Sequence, residues 1–172
     1  DFLIQSLVKL SRMESGIIAV HSEDTAIAQM FASVQQQFNV KVREKNITLS
    51  LCDTDLHVRC DPKWTVEAIG NIVDNAIKYT ACGGNVQVKA EQNSFFVKID
   101  IIDDGIGIEK EEIPKIFGRF YRSLSVADQP GVGIGLFLAR EIIQAQNGYI
   151  KVTSEREKGS TFSVFLPISK KE

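Results

Sequence analysis

The sequence predicts a domain of mixed class, α/β (α+β), because segments of helical period are interleaved with short strand-like runs along its length. Two stretches carry that reading. Residues 61–80 set Ile69, Ile72, Val73, Ala76 and Ile77 at helical spacing, behind Asp61 at an N-cap position and Pro62 at the first helical position. Residues 95–102 put Phe95, Val97, Ile99 and Ile101 on one face with the period of two of a strand, and Asp103 continues that face.

The remaining elements follow in order. Residues 1–15 place Phe2, Leu3, Leu7, Leu10 and Met13 between polar residues up to Gly16, a helix with a narrow apolar seam suited to packing on other helices. It opens at Asp1 without a cap, so it is expected to be cut from a longer element of a larger protein. Residues 17–21 suit an edge strand. Asp24 or Thr25 is expected to cap a helix carrying Ile27, Met30, Phe31, Val34, Phe38 and Val42 and ending near Asn46. Strands are expected at 47–51, 56–60 and 86–90, with a flexible turn at 81–85. Residues 109–117 allow a short helix, and no period survives from there to Pro130, which is the pattern of a lid. A helix over 137–145, ended by Asn147 and Gly148, precedes a hairpin of strands at 149–153 and 161–166.

Composition narrows the function classes. A hydrophobic share of 44%, a charged share of 24% and a net charge of -2 with acids and bases interspersed describe an ordinary globular domain, not a nucleic-acid binder. No apolar run approaches the roughly 20 residues that cross a bilayer, and no signal sequence opens the chain. Cys52, Cys60 and Cys82 lack metal-ligand spacing and read as structural thiols of a reducing compartment.

The helix over 61–80 has an unusual second face. A turn of about 100° per residue gathers Glu67, Asn71, Asp74, Asn75 and Lys78 opposite the apolar arc. Asn is a poor helix former, so two of them at i and i+4 beside a Lys either bond to neighbouring backbone or form a site with two amides and one ammonium. The glycine clusters downstream favour the site. After Asp103 come Asp104, Gly105, Ile106 and Gly107, a carboxylate at the rim of an apolar row followed by backbone that can pass close to a ligand. Gly131, Gly133 and Gly135 lead into a helix N-terminus, whose unpaired amides suit an anion such as a triphosphate. The triplet lacks the strand and turn of a dinucleotide fingerprint and the Lys-Ser/Thr of a P-loop. Arg119 or Arg122 in the lid either reaches phosphates or is solvated, and Thr161 either meets the pocket from the far side or is a plain strand residue.

Asn71 to Thr80, Asp103 to Gly107, 116–122, Gly131 to Leu136 and Gly159 to Phe162 resemble, in that order, the N box, first glycine box, F box, second glycine box and last glycine motif of bacterial sensor histidine kinases. The likeness is to their ATP-binding catalytic domain, a fold shared with gyrase, the Hsp90 chaperones and MutL, and covers roughly 17–168. It implies a two-layer sandwich, a mixed sheet of about five strands with three helices on one face, over 17–172, with a lid at about 105–131. Residues 1–16 resemble the end of the second helix of the dimerisation and phosphoacceptor hairpin.

The same resemblance implies ATP and Mg2+ as cofactors. Asn75 would hold the metal, Asn71 and Lys78 would meet the phosphates as the catalytic pair, Tyr79 would contact the nucleoside, and Asp103 would bind the adenine amino group. Gly105, Gly107, Phe120, Arg122, Gly131, Gly133, Gly135, Leu136 and Thr161 complete the implied nucleotide-binding set. The phosphoacceptor His would lie on a helix outside this chain, since neither His21 nor His57 has the expected surroundings, and a response-regulator Asp would take the phosphoryl group next. The implied setting is the cytoplasm, beneath a membrane-anchored parent, with no nucleic acid and no direct membrane contact. Hydrolysing relatives carry a Glu four residues before the metal-binding Asn; here that position is Asn71, too weak a base to activate water, which favours phosphoryl transfer over hydrolysis. Gly118 departs from the acidic residue usual before the Arg-Phe-Tyr-Arg run. A hydrolytic ATPase module and a non-enzymatic nucleotide-dependent interaction module are the competing readings.

Overall fold

The computed structural model describes residues 4, 5, 7, 8, 11 and 19–168. Ile4, Gln5, Leu7, Val8 and Ser11 are helical and exposed, whereas Phe2, Leu3, Leu10, Met13 and Gly16 lie outside the described residues. From there the order is β1 (Glu23–Ala26), α1 (Ile27–Glu44), β2 (Thr48–Leu51), β3 (His57–Cys60), α2 (Pro62–Tyr79), β4 (Asn85–Gln92), β5 (Phe96–Asp103), α3 (Gly135–Gln144), β6 (Tyr149–Glu155) and β7 (Gly159–Pro167).

The main sheet runs β2-β4-β5-β7-β6. It is mixed: β2 is parallel to β4, and the other pairs are antiparallel. Alternation along β5 buries Val97, Ile99, Ile101 and Asp103, and the same face of β7 buries Ser160, Phe162, Val164 and Leu166. On that face the sheet forms one core with the apolar stripes of α1, α2 and α3. The two-layer sandwich expected from the sequence is the fold observed.

Helix α2 begins as its sequence dictates. Asp61 accepts from the Trp64 N–H at 3.1 Å and Pro62 occupies the first turn, where its missing donor is not needed. The helix ends on Lys45 of the α1 terminus, whose Nζ donates to the carbonyls of Ile77 at 2.8 Å and Lys78 at 2.5 Å.

Several local expectations are corrected. Of the edge strand expected at 17–21, residues 17 and 18 lie outside the described residues and 19–22 are irregular; β1 forms instead at Glu23–Ala26, where its backbone pairs with β3, Thr25 against Val58. Pairing overrides the poor strand propensity of Glu23 and Asp24. With Asp24 and Thr25 in that strand, neither caps α1; its N-cap is Ala26, and the Ile27 N–H donates instead to the Leu56 carbonyl at 3.0 Å. Phe95 is 74% exposed and precedes β5, because Asn93 Oδ1 captures the N–H groups of Phe95 and Phe96 in a turn. Residues 109–117 give only a 3-10 turn at Ile113–Lys115, with Pro114 inside it. Of the three free cysteines Cys60 is buried, Cys52 half-buried and Cys82 exposed, so Cys82 is not a core residue.

Candidate functional site

A cleft of about 830 Å³ opens between the polar face of α2 and the segment from Ile106 to Leu136. That volume suits a nucleotide-sized ligand. α2 lines it with Glu67, Asn71, Asp74, Asn75, Lys78 and Tyr79, the arc opposite its buried stripe. β5 and β7 supply Asp103, Ser160 and Phe162, and the glycine loop supplies Gly131, Gly133, Gly135 and Leu136. Gly107 and Arg122 also line it, so most of the expected residues converge on one hollow.

Groups of both charge signs line it. Asp103 is 8% exposed, and its Oδ1 accepts from the Gly105 N–H at 2.9 Å. Burial pushes this carboxyl above the usual carboxylate range, and the N–H groups of Gly105 and Ser160 pull against that shift. Lys78 lines the same cleft. Burial lowers its pKa, and the Arg122 guanidinium lowers it further. Burial also raises the Tyr79 phenol. In the same cleft, Asn71 Nδ2 is buried and without a hydrogen-bond partner. A Cβ placed on Gly135 would lie 3.9 Å from Asn71 Oδ1, so this amide faces the start of α3.

Close approach explains two of the glycines. A Cβ on Gly131, where φ is 150°, would lie 2.7 Å from Lys78 Nζ. On Gly107, where φ is 68°, it would lie 2.0 Å from the Glu155 carbonyl oxygen.

Three expected residues are not in the cleft wall. Thr161 is displaced by the sheet's period of two: Ser160 and Phe162 share the parity of the buried face, and Thr161 does not. Gly105 lies behind Asp103 and serves it through its N–H. Phe120 is 54% exposed with φ 59° and lies outside the lining. Arg122 lines the cleft while its Nη2 donates to the carbonyls of Val126 at 3.0 Å, Ala127 at 3.1 Å and Gln129. Glu112 ties the same segment, accepting from Tyr121 OH at 3.0 Å and Ser123 Oγ at 2.8 Å.

Lys41 and Lys45 of α1 also line the cleft, and sequence reasoning missed both. Lys41 pairs with Asp74 at the rim. Nothing in the α1 repeat marks these lysines as different from any solvated pair near a helix C-terminus.

Residues 60–170 match the family described as histidine kinase-, DNA gyrase B-, and HSP90-like ATPase. The chain belongs to that family. It is 30% identical over 175 residues to the sensor histidine kinase WalK of Bacillus subtilis, covering 99% of this chain and 29% of that protein. With the adaptive-response sensory kinase SasA of Synechocystis the identity is 34% over 171 residues, covering 98% of this chain and 45% of that protein. The chain therefore spans less than half the length of these two relatives. Among solved structures, the catalytic domain of histidine kinase ThkA superposes with a TM-score of 0.73 at 26% identity, over 86% of this chain and 97% of that one. The resemblance read from the ordered motifs thus holds: this is an ATPase-family domain of the kind found as the catalytic domain of sensor histidine kinases, and ATP is the nucleotide that the family implies. No helix among the described residues is long and apolar enough to cross a membrane.

Proposed function

We propose that this chain binds Mg-ATP in the cleft and presents the γ-phosphate to a histidine outside it, as the kinase half of a two-component signalling pair. The observation that carries the reading is the unpartnered, buried Asn71 amide, which faces Gly135 in the same hollow that Lys78 and the Asp103 carboxylate line. A ligand that pairs all of these has an exocyclic amine at one end and a polyanion at the other.

Each side chain then has a task. The Asp103 carboxylate accepts a hydrogen bond from the adenine amino group. Tyr79 packs against the nucleoside, and Asn71 Nδ2 and Lys78 Nζ donate to phosphate oxygens. Charge on the γ-phosphoryl group spreads over its oxygens in the transition state, so these fixed donors act by position and electrostatics. Asn75 is the candidate metal ligand. Among the described residues no group of three or more His, Cys, Asp or Glu side chains is placed to hold a metal. One amide oxygen fits a hard ion that takes its other ligands from phosphate and water. Such an ion supplies positive charge to the phosphates. Gly131, Gly133, Gly135 and Leu136 shape the loop over them, and Gly107 and Arg122 border it. Ser160 takes the place that Thr161 was expected to fill.

Phosphoryl transfer is favoured over hydrolysis because Asn71 cannot take a proton from water. The proposed partners are the phosphoacceptor helix of the longer kinase, of whose hairpin residues 1–16 would be the end, and a response regulator. We place the domain in the cytoplasm, with residues 105–131 as its lid and no contact with nucleic acid or membrane.

The test is a nucleotide titration with and without Mg2+, on the unmodified chain and on Asp103→Asn. The variant loses an ionic acceptor and turns an amide donor toward the adenine amine, so ATP affinity is expected to fall about tenfold or more. Affinity within twofold of the unmodified chain would remove Asp103 from the site. Appreciable steady-state phosphate release would favour a hydrolytic module instead.

A further inference from the structure

The turn carrying Asp103 is gripped from two sides. On one side is the β6–β7 hairpin: a Cβ on Gly159 would lie 1.9 Å from the Asp103 carbonyl oxygen and 2.9 Å from Asp104 Cα. On the other is Asn85, the first residue of β4 after the turn that follows α2, and there the grip is made by a side chain. Asp104 Oδ1 accepts from the Asn85 N–H at 2.8 Å, its Oδ2 accepts from Asn85 Nδ2 at 2.9 Å, and the Asp104 N–H donates to the Asn85 carbonyl at 3.3 Å. The fit is close enough that a Cβ on Gly84 would lie 2.7 Å from Asp104 Oδ1.

Asp104 is exposed and does not line the cleft, yet the donors of Asn85 hold its carboxyl below the usual range. A paired, ionised carboxylate next to the adenine-facing one is unfavourable for Asp103, since its charge adds to the upward shift there. A neutral residue at this point would avoid that repulsion. The clasp does something a neutral staple would do less firmly. It fixes the residue after Asp103 to Asn85, just past the turn that follows α2. The Ile106 N–H adds a 3.3 Å bond to the Tyr79 carbonyl at the end of the same helix.

We propose that Asp104 is a positioning residue for nucleotide recognition: through its two-oxygen clasp on Asn85 it sets the distance between the Asp103 carboxylate and the α2 residues that line the same cleft. This rests on the reading of the cleft as an ATP site. The clasp acts on the base end of the ligand, so it discriminates between purines that differ at the 6-amino position. The phosphate end does not depend on it.

The experiment compares ATP with inosine triphosphate, which lacks the amino group, on the unmodified chain, Asp104→Asn, and the reciprocal swap Asp104→Asn with Asn85→Asp. Asp104→Asn replaces the charge-assisted clasp with a weaker neutral amide–amide pair, and ATP affinity is expected to fall on the order of tenfold, the value of one charge-assisted hydrogen bond. Inosine triphosphate affinity should stay within about twofold, so the preference for ATP shrinks by the ATP loss. The swap restores the ionic pair with its ends exchanged, and the preference should return. The inference is overturned if Asp104→Asn binds ATP like the unmodified chain, if both nucleotides weaken equally, as a merely structural role requires, or if the swap restores nothing. Failure of the unmodified chain to bind ATP or to prefer it over inosine triphosphate would instead count against the nucleotide reading itself.

Discussion

Asn71→Leu is expected to stabilise the free chain and to weaken its hold on ATP, two effects of opposite sign from one side chain. Asn71 is half-buried on α2, and its Nδ2 is buried without a partner. A buried donor left unpaired costs about 1–3 kcal/mol, and leucine repeats the branching of asparagine without polar atoms. Space allows the exchange, since even a Cβ on Gly135 would stay 3.8 Å from Asn71 Cβ. Taking the low end because the side chain is only half-buried, the gain is about 1 kcal/mol, or about 2–4 °C in Tm at this chain length. Nucleotide binding reverses the sign. The amide donor to a phosphate is lost, at least about tenfold in Kd. Thermal unfolding with and without Mg-ATP reads both. At a nucleotide concentration of about 100 Kd the unmodified chain gains about 2.7 kcal/mol from binding, and a tenfold weaker variant gains about 1.4 kcal/mol less. A lower Tm for the free variant, or an ATP-induced rise equal to that of the unmodified chain, would refute the assignment of Asn71 as a donor held ready for ligand.

Three further outcomes follow from the same geometry. The pKa of Lys78 is lowered in the folded chain, so between that value and the ordinary lysine value of 10.5 the unfolded state holds more protons and stability rises with pH. Phosphates bound beside Lys78 would favour its charged form, so ATP binding takes up protons and weakens as pH rises through the folded pKa; Lys78→Met should abolish this dependence in a Kd-against-pH series. Lys41→Met leaves stability within about 1 kcal/mol, because the Lys41–Asp74 pair is half-exposed. It bares the Asp74 carboxylate to the triphosphate, so ATP should bind a few-fold more weakly, most at low ionic strength, and an added Asp74→Asn should restore it; titrations across salt concentrations check this. Gly131→Ala puts a methyl group 2.7 Å from Lys78 Nζ at a φ of 150°, and should weaken ATP while leaving the core and far-ultraviolet circular dichroism unchanged.

What the sequence disclosed tracks how local each cause is. The Asp61 cap, Pro62 and the division of α2 into an apolar stripe and an amide-bearing arc depend on residues within a few turns, and all appear in the structure. Asp103 was legible because strand alternation carries it onto the buried face. The same rule was available for β7: Phe162, Val164 and Leu166 fix the parity, which selects Ser160 and excludes Thr161. The start of α1 was not legible, since the Ile27 N–H finds its acceptor on Leu56, 29 positions away. Nor was the Asp104–Asn85 clasp, 19 positions apart, or the placement of Lys41 and Lys45 over α2. These depend on which elements pack together, and a one-dimensional pattern does not encode that.

Two of the shifted ionisable groups of the cleft, Asp103 and Lys78, bear on what kind of ligand it takes. Were Asp103 and Lys78 paired with each other, attraction would lower the carboxyl pKa and raise that of the amine. The reverse is found: burial is the leading cause in each case, driving Asp103 up and Lys78 down, and neither is among the causes of the other's shift. Burial therefore works against the charged form of each, and a ligand that brings the complementary group works in its favour. An apolar ligand would leave both penalties standing. A simple anion would relieve Lys78 alone, and an amine alone would relieve Asp103. A molecule that brings both a hydrogen-bond donor and negative charge relieves both, and the Asn71 amide of the same cleft takes its missing acceptor from that negative group.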